Sequence, residues 1–316
     1  MQPLPVAQPI FLVGAERSGT TLLRIMLDHH PQQAWCHEFE YAVDLLDESG
    51  GFPPLEVYHN WLETNRIFQE ADFEIDPQLD YCQLVNSFLR QRQNKEQKEF
   101  VGATVHRRFD QLVGIWSQAK FIHITRDGRD VARSCIGMGW AGNVWTGIER
   151  WIEVEHLWRS FSSSLAPEQK IEVTYESLIS QPESTLTALC DFIGVGFDPQ
   201  MLTYDQTTSY DLPNPQLVQQ WRHKLSPIEI QLVESRISDM LVARGYKLSG
   251  IPLMRVSWIM KQQLKLQDWY QRVWFRIKRF GFTLFLADNL SRRLKINPWQ
   301  KKIQLKMNAI QQSYLK

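Results

Sequence analysis

One short run near the start of the chain constrains it most: Gly14-Ala15-Glu16-Arg17-Ser18-Gly19-Thr20-Thr21. The apolar residues Pro9-Ile10-Phe11-Leu12-Val13 precede it and read as a buried strand. Leu22, Leu23, Met26 and Leu27 follow at helical spacing, and His29-His30-Pro31 marks the end of that helix. A strand, a glycine loop and a helix in this order gather backbone N–H groups and a helix N-terminus around an anion. The spacing of Gly14, Gly19 and Thr21 fits the phosphate-binding pattern G-x-x-x-x-G-K-S/T, except that Thr20 stands at the lysine position. That lysine reaches the outer phosphates of a nucleoside triphosphate, so its replacement points to a ligand with less phosphate charge. Arg17 supplies a cation from within the loop instead.

A second element points the same way. Lys120-Phe121-Ile122-His123-Ile124-Thr125 reads as another buried strand and runs into Arg126-Asp127-Gly128-Arg129-Asp130-Val131. Asp130 is expected to cap the next helix, with Ser134 on or near its first turn. An arginine at a strand's C-terminal end and a hydroxyl on the following helix converge on one dianion, the first by charge-assisted hydrogen bonds. Ligands of open parallel sheets bind beyond those strand ends. Two anion sites along one sheet edge suit a bisphosphorylated nucleotide better than a linear triphosphate.

Together these motifs resemble the sulfotransferases that use 3′-phosphoadenosine 5′-phosphosulfate. Arg17-Ser18-Gly19-Thr20-Thr21 is similar to their 5′-phosphosulfate loop, and Arg126 with Ser134 to their 3′-phosphate pair. The run from Arg17 to Leu27, then His30-Pro31, is nearest to the tyrosylprotein sulfotransferases and their bacterial relatives. Val173-Thr174-Tyr175-Glu176-Ser177-Leu178, Pro182, Leu189-Cys190-Asp191-Phe192-Ile193-Gly194, Trp221, Leu225-Ser226-Pro227 and Gly245-Tyr246 extend the resemblance to about residues 9 to 248. It implies a nucleotide sulfate donor held by Arg17, Ser18, Gly19, Thr20, Thr21, Arg126, Ser134 and Tyr175, a hydroxyl or amine acceptor, and no metal. It implies too that a glutamate just past the His-Pro pair is the catalytic base. This falls on Glu38 in Cys36-His37-Glu38-Phe39-Glu40, with Glu40 in reserve. In-line transfer leaves positioning and electrostatics as the protein's main tasks, with Arg17 opposite the leaving phosphate. Many members carry a lysine near Val101–Arg108, where this chain has His106, Arg107 and Arg108; these three take over its task, bind an anionic acceptor, or are solvated.

The rest of the chain fits a three-layer α/β domain of P-loop type with a mainly parallel sheet over residues 1–250, and a basic helical extension over 251–316. Between the two donor motifs, Trp61, Phe68, Phe73, Tyr81 and Phe88 are expected on helices closing over the acceptor. Cys36, Cys82, Cys135 and Cys190 are widely spaced, without a C-x-x-C pair, and read as thiols of a reducing compartment. With no basic leader and no bilayer-length apolar run, a cytoplasmic enzyme is expected.

Charge is lopsided. Residues 251–316 hold fourteen Lys or Arg against Asp268 and Asp288, a net +12 that the first 250 residues balance with −12. Wound as a helix, Val256 to Phe280 sets Ile259, Met260, Leu264, Leu266, Tyr270, Val273, Trp274 and Ile277 on one broad face, with Lys261, Lys265, Arg272, Arg276 and Arg279 opposite. Two readings stand: the helix packs on its own acidic domain, or it lies at an anionic membrane surface. Nucleic acid is disfavoured by the acidic catalytic part. Rival functions are a P-loop kinase or other nucleoside-triphosphate enzyme, against which Thr20 argues, and a non-catalytic membrane-associated binding protein on the same fold.

Overall fold

The computed structural model describes residues 6–294 and 297–315. Five strands, β1 (Ile10–Val13), β2 (Gln33–Glu38), β3 (Phe100–Val105), β4 (Lys120–Thr125) and β5 (Lys170–Thr174), form one sheet in the order β2-β3-β1-β4-β5. Every neighbouring pair runs parallel. The alternation of side chains along a strand explains the layers. Ile10 and Leu12 of β1 pack on one face with α1 (Thr20–Asp28), and Phe11 and Val13 pack on the other.

Four further helices precede or follow the central strands: α2 (Leu55–Leu62), α3 (Arg66–Ala71), α4 (Tyr81–Glu96) and α5 (Gly128–Gly137). Then come α6 (Val144–Gly147), α7 (Glu149–Ser162), α8 (Tyr175–Ser180), α9 (Pro182–Ile193), α10 (Trp221–Lys224) and α11 (Pro227–Ala243). Leu178 and Leu186 put α8 and α9 in the α1 layer, while Leu84, Trp158 and Val233 put α4, α7 and α11 in the opposite one. Both faces of β1 are therefore covered, which is why its four residues are all apolar. The expected three-layer α/β architecture is present.

The chain runs from β1 to β2 on one side of the sheet and later crosses to β4 and β5 on the other. The C-terminal ends of β1 and β4 consequently flank a topological switch point, with Val13 level with His123.

Three local details differ from expectation. Asp127, not Asp130, caps α5, accepting from the Arg129 N–H, so the helix begins at Gly128 and Ser134 lies on its second turn. Asp130 is inside the helix and accepts instead from the Trp221 N–H at 2.7 Å. The aromatics of the 41–100 segment serve mainly as core: Phe68 and Phe88 pack on Tyr41, and Tyr81 on Tyr58.

The C-terminal part forms α12 (Trp258–Phe280), α13 (Phe282–Leu294) and α14 (Asn297–Leu315). Ser257 caps α12 by accepting from the Met260 N–H. Asp268 accepts from the Gly142 N–H and the Thr146 hydroxyl, both at 2.7 Å, and Asn143 donates to the Leu264 carbonyl. The expected apolar face is thus divided. Leu264 is buried against the domain, whereas Ile259, Leu266, Tyr270 and Trp274 point to solvent. Among the described residues no helix is long and apolar enough to cross a membrane.

Candidate active site

The Gly14–Thr21 loop owes its shape to two close approaches. A Cβ at Gly14 would lie 2.3 Å from the Ile124 carbonyl oxygen, and one at Gly19 would lie 2.3 Å from the Tyr175 ring. Gly19 also has φ 96°, and Arg17 holds φ 73°, a left-handed conformation uncommon for a residue with a side chain. Gly19 caps α1 without any side-chain acceptor. The first-turn N–H groups of α1 are thereby left to an anion.

The distant motifs meet here. Arg17 donates from Nε to the Ser134 hydroxyl at 2.9 Å. Arg126 donates to the Arg17 carbonyl at 3.3 Å and to the Leu217 carbonyl at 2.9 Å, and its guanidinium lies 4.1 Å from the Tyr175 ring centroid. Asp130 faces Arg126 at 3.6 Å; burial raises its pKa above the ordinary aspartate value although Arg126 works against that. Arg17, Gly19, Thr20, Thr21, Arg126, Ser134 and Tyr175 line one cavity of about 430 Å³. Ser18, by contrast, is fully buried beneath the loop, and its hydroxyl has no hydrogen-bond partner among the described residues.

Sequence reasoning missed part of this lining. Arg133 stands beside Ser134 and three residues beyond Asp130, so helical spacing alone would have placed it on the same wall. Tyr210, Leu212 and Leu217 come from an irregular segment whose sequence carries no periodic signal.

The remaining residues of the Arg126–Asp130 motif hold it in place. Arg129 is buried between Asp127 and Glu234, at 2.6 Å from each, and lies 3.6 Å from the Trp221 ring centroid. Glu176 accepts from the Asp127 N–H and from the Tyr246 hydroxyl. The Tyr175-Glu176 and Gly245-Tyr246 motifs therefore brace the turn that presents Arg126.

A separate acidic cluster sits at the ends of β2 and β3. The Glu38 side chain is 45% exposed and lies 3.9 Å from Arg66. Glu40 is only 1% exposed, and its carboxylate accepts from the His106 N–H at 2.9 Å. Burial pushes the Glu40 pKa up to about 7, though His106 opposes this. His106 is buried and donates from Nδ1 to the Gly14 carbonyl at 2.9 Å. Burial disfavours its charge, but Glu40, with Glu16 and Glu38, overcomes this and raises its pKa. Arg107 forms a two-point ion pair with Asp44, and Arg108 donates to the carbonyls of Asp44, Leu46 and Asp47. Of the three basic residues in this segment, His106 is the one joined to the loop. Among the described residues no cluster of His, Cys, Asp or Glu is arranged to hold a metal ion.

This geometry has relatives. Residues 9–199 match the sulfotransferase family. The chain is 23% identical over 215 residues to protein-tyrosine sulfotransferase A of Caenorhabditis elegans, across 64% of this chain and 54% of that protein. It is 26% identical over 214 residues to a putative protein-tyrosine sulfotransferase of Caenorhabditis briggsae, across 63% of this chain and 70% of the other. The chain thus spans about half the length of the first of these relatives. Its fold is similar to the sulfotransferase domain from the curacin biosynthetic pathway, with a TM-score of 0.57 and 18% identity over 78% of this chain and all of that domain. The match covers more than half of the sequence and includes both the Gly14–Thr21 loop and the Arg126–Ser134 segment, so the chain belongs to the sulfotransferase family.

Proposed function

We propose that the protein transfers a sulfuryl group from 3′-phosphoadenosine 5′-phosphosulfate to a hydroxyl or amine acceptor. The carrying observation is the convergence of Arg17, Arg126 and Ser134, from motifs more than a hundred residues apart, on one cavity at the N-terminus of α1. Three groups suited to anionic oxygens, beside an uncapped helix start, fit a ligand with two phosphate positions. Tyr175, Tyr210 and Leu217 offer the aromatic and apolar surface that a purine needs.

In this reading the donor brings the activated sulfuryl group, and the chain binds and orients it. The backbone of residues 19–21 and Arg17 hold the 5′ side, while Arg126 and Ser134 hold the 3′-phosphate; the Ser18 N–H is already taken by the Ala15 carbonyl and shapes the loop instead. Arg17 offsets the charge that grows on the leaving phosphate, a contribution made chiefly in the transition state. Glu38 takes the acceptor's proton. It pairs in register with Thr104, which pairs with Leu12, so it stands two strands away from β1. That is roughly 10 Å at ordinary strand spacing, enough to seat an acceptor between base and loop. Glu40 is too deeply buried to meet an acceptor and serves the loop instead.

Calorimetric titration with 3′-phosphoadenosine 5′-phosphate and with ATP tests the donor class directly. The bisphosphate is expected to bind more tightly. Preferential binding of ATP would favour a nucleoside-triphosphate enzyme and sink the proposal.

A further inference from the structure

Both acidic side chains of the C-terminal helices face inwards. Asp268 is tied to Gly142 and Thr146, and Asp288 is 2% exposed between Arg276 and Arg292. Residues 251–316 contain no other Asp or Glu. Among the described residues, the charged side chains on the outer surface of this arm are therefore all cationic. Lys261 and Lys265 stand exposed on the flank of α12 that leads back to Asp268.

The outermost face of α12 is apolar and aromatic. Trp258 is 72% exposed, Trp269 61%, and Ile259, Leu266 and Tyr270 are similarly open. At 100° per residue these five lie within about 120° of one another, on the side away from Leu264. Phe282 and Leu290 of α13 are open as well. A helix fastened to its domain by Leu264, Asn143 and Asp268 has already satisfied its packing requirement. A second broad apolar face, rimmed by lysine and rich in tryptophan, is not needed for folding.

We propose that this face of α12 docks the protein on an anionic phospholipid surface. Tryptophan and tyrosine suit the headgroup boundary, where one part of the ring system is apolar and another is hydrated. Lys261 and Lys265 meet the negative surface potential. Charge complementarity selects this partner over a neutral one, and the aromatic content selects a lipid boundary over a purely polar polyanion. The absence of carboxylates from the outer surface removes the repulsion that such a surface would otherwise impose.

The full-length protein should be sedimented with phosphatidylcholine vesicles, with and without roughly one part in three phosphatidylserine. It is expected to pellet with the anionic vesicles and to be released as salt shortens the screening length to a few ångströms. Lys261→Gln with Lys265→Gln should weaken binding roughly ten-fold or more, and Leu266→Ser with Trp269→Ser should weaken it as well. These sites lie outside the donor cavity, so bisphosphate affinity and the melting temperature should stay unchanged, which checks the fold. Failure of the intact protein to pellet at low salt would overturn the proposal. So would a dimer in sedimentation equilibrium that Leu266→Ser with Trp269→Ser converts to monomer, because a second copy would then cover the face.

Discussion

His106 donates its Nδ1 hydrogen to the carbonyl of Gly14 at 2.9 Å, joining the end of β3 to the first residue of the Gly14–Thr21 loop. The histidine is itself held by Glu40, which accepts its backbone N–H. The loop is therefore supported from below by a buried polar pair, and from the side by Tyr175 against Gly19.

This support makes the first prediction. His106→Ala removes the donor to a buried carbonyl and should cost about 1–3 kcal/mol of stability, with weaker bisphosphate binding because the loop loses its brace. His106→Asn, whose amide also donates, should recover part of both. Thermal melts and calorimetric titration of the two variants check this; equal losses in both would show that bulk and charge matter more than the hydrogen bond.

The second prediction concerns selectivity for the 3′-phosphate. Arg126→Ala should weaken the 3′,5′-bisphosphate by about 2–5 kcal/mol and adenosine 5′-phosphate much less. Arg126 also touches the Arg17 carbonyl, so some loss for both ligands is expected. If both weaken by the same factor, Arg126 supports the loop without reading the 3′ group.

The third prediction separates the two glutamates. Glu38→Gln should lower transfer roughly 10²–10⁴-fold while leaving bisphosphate affinity intact. Glu40→Gln keeps an acceptor for the His106 N–H and should reduce transfer far less. The reverse order of losses would move the base to Glu40 and require it to become accessible.

The strand, loop and helix of residues 10–28 were legible in the sequence because their signal is local: an apolar run, two glycines, an arginine and a helical period within about twenty residues. Arg126 and Ser134 were legible for the same reason. The His106–Gly14 bond was not, since it joins positions ninety-two residues apart and depends on β1 and β3 being neighbours. Arg107 and Arg108 looked equivalent to His106 in sequence, and only their pairing with the 44–47 segment separates them. Asp130 passed for a helix cap because Asp127 and Asp130 are both suitable residue types; their geometry decides. For α12 the helical wheel reveals an apolar face but not its partner. Asp268, a charged residue, turned out to anchor the docked side.

The last prediction uses the proton load of the buried pair. Glu40 is raised from an ordinary glutamate value to about 7 by burial, and His106 is raised as well, by its acidic neighbours. Both folded-state values exceed the unfolded ones, so the folded protein binds more protons than the unfolded chain across this interval. The stability contribution is complete below about pH 4.5 for Glu40, and it is lost as pH rises through about 7. Glu40→Gln cannot ionise and should remove this slope. Denaturant midpoints measured between about pH 5 and pH 8 for the native chain and for Glu40→Gln isolate the Glu40–His106 pair, because groups that do not interact with it cancel in the difference, while His106 loses the Glu40 charge that raises it. The native chain should lose roughly 1–3 kcal/mol relative to the variant over that interval. Parallel profiles would mean that Glu40 is ionised throughout and that the pair does not hold its proton.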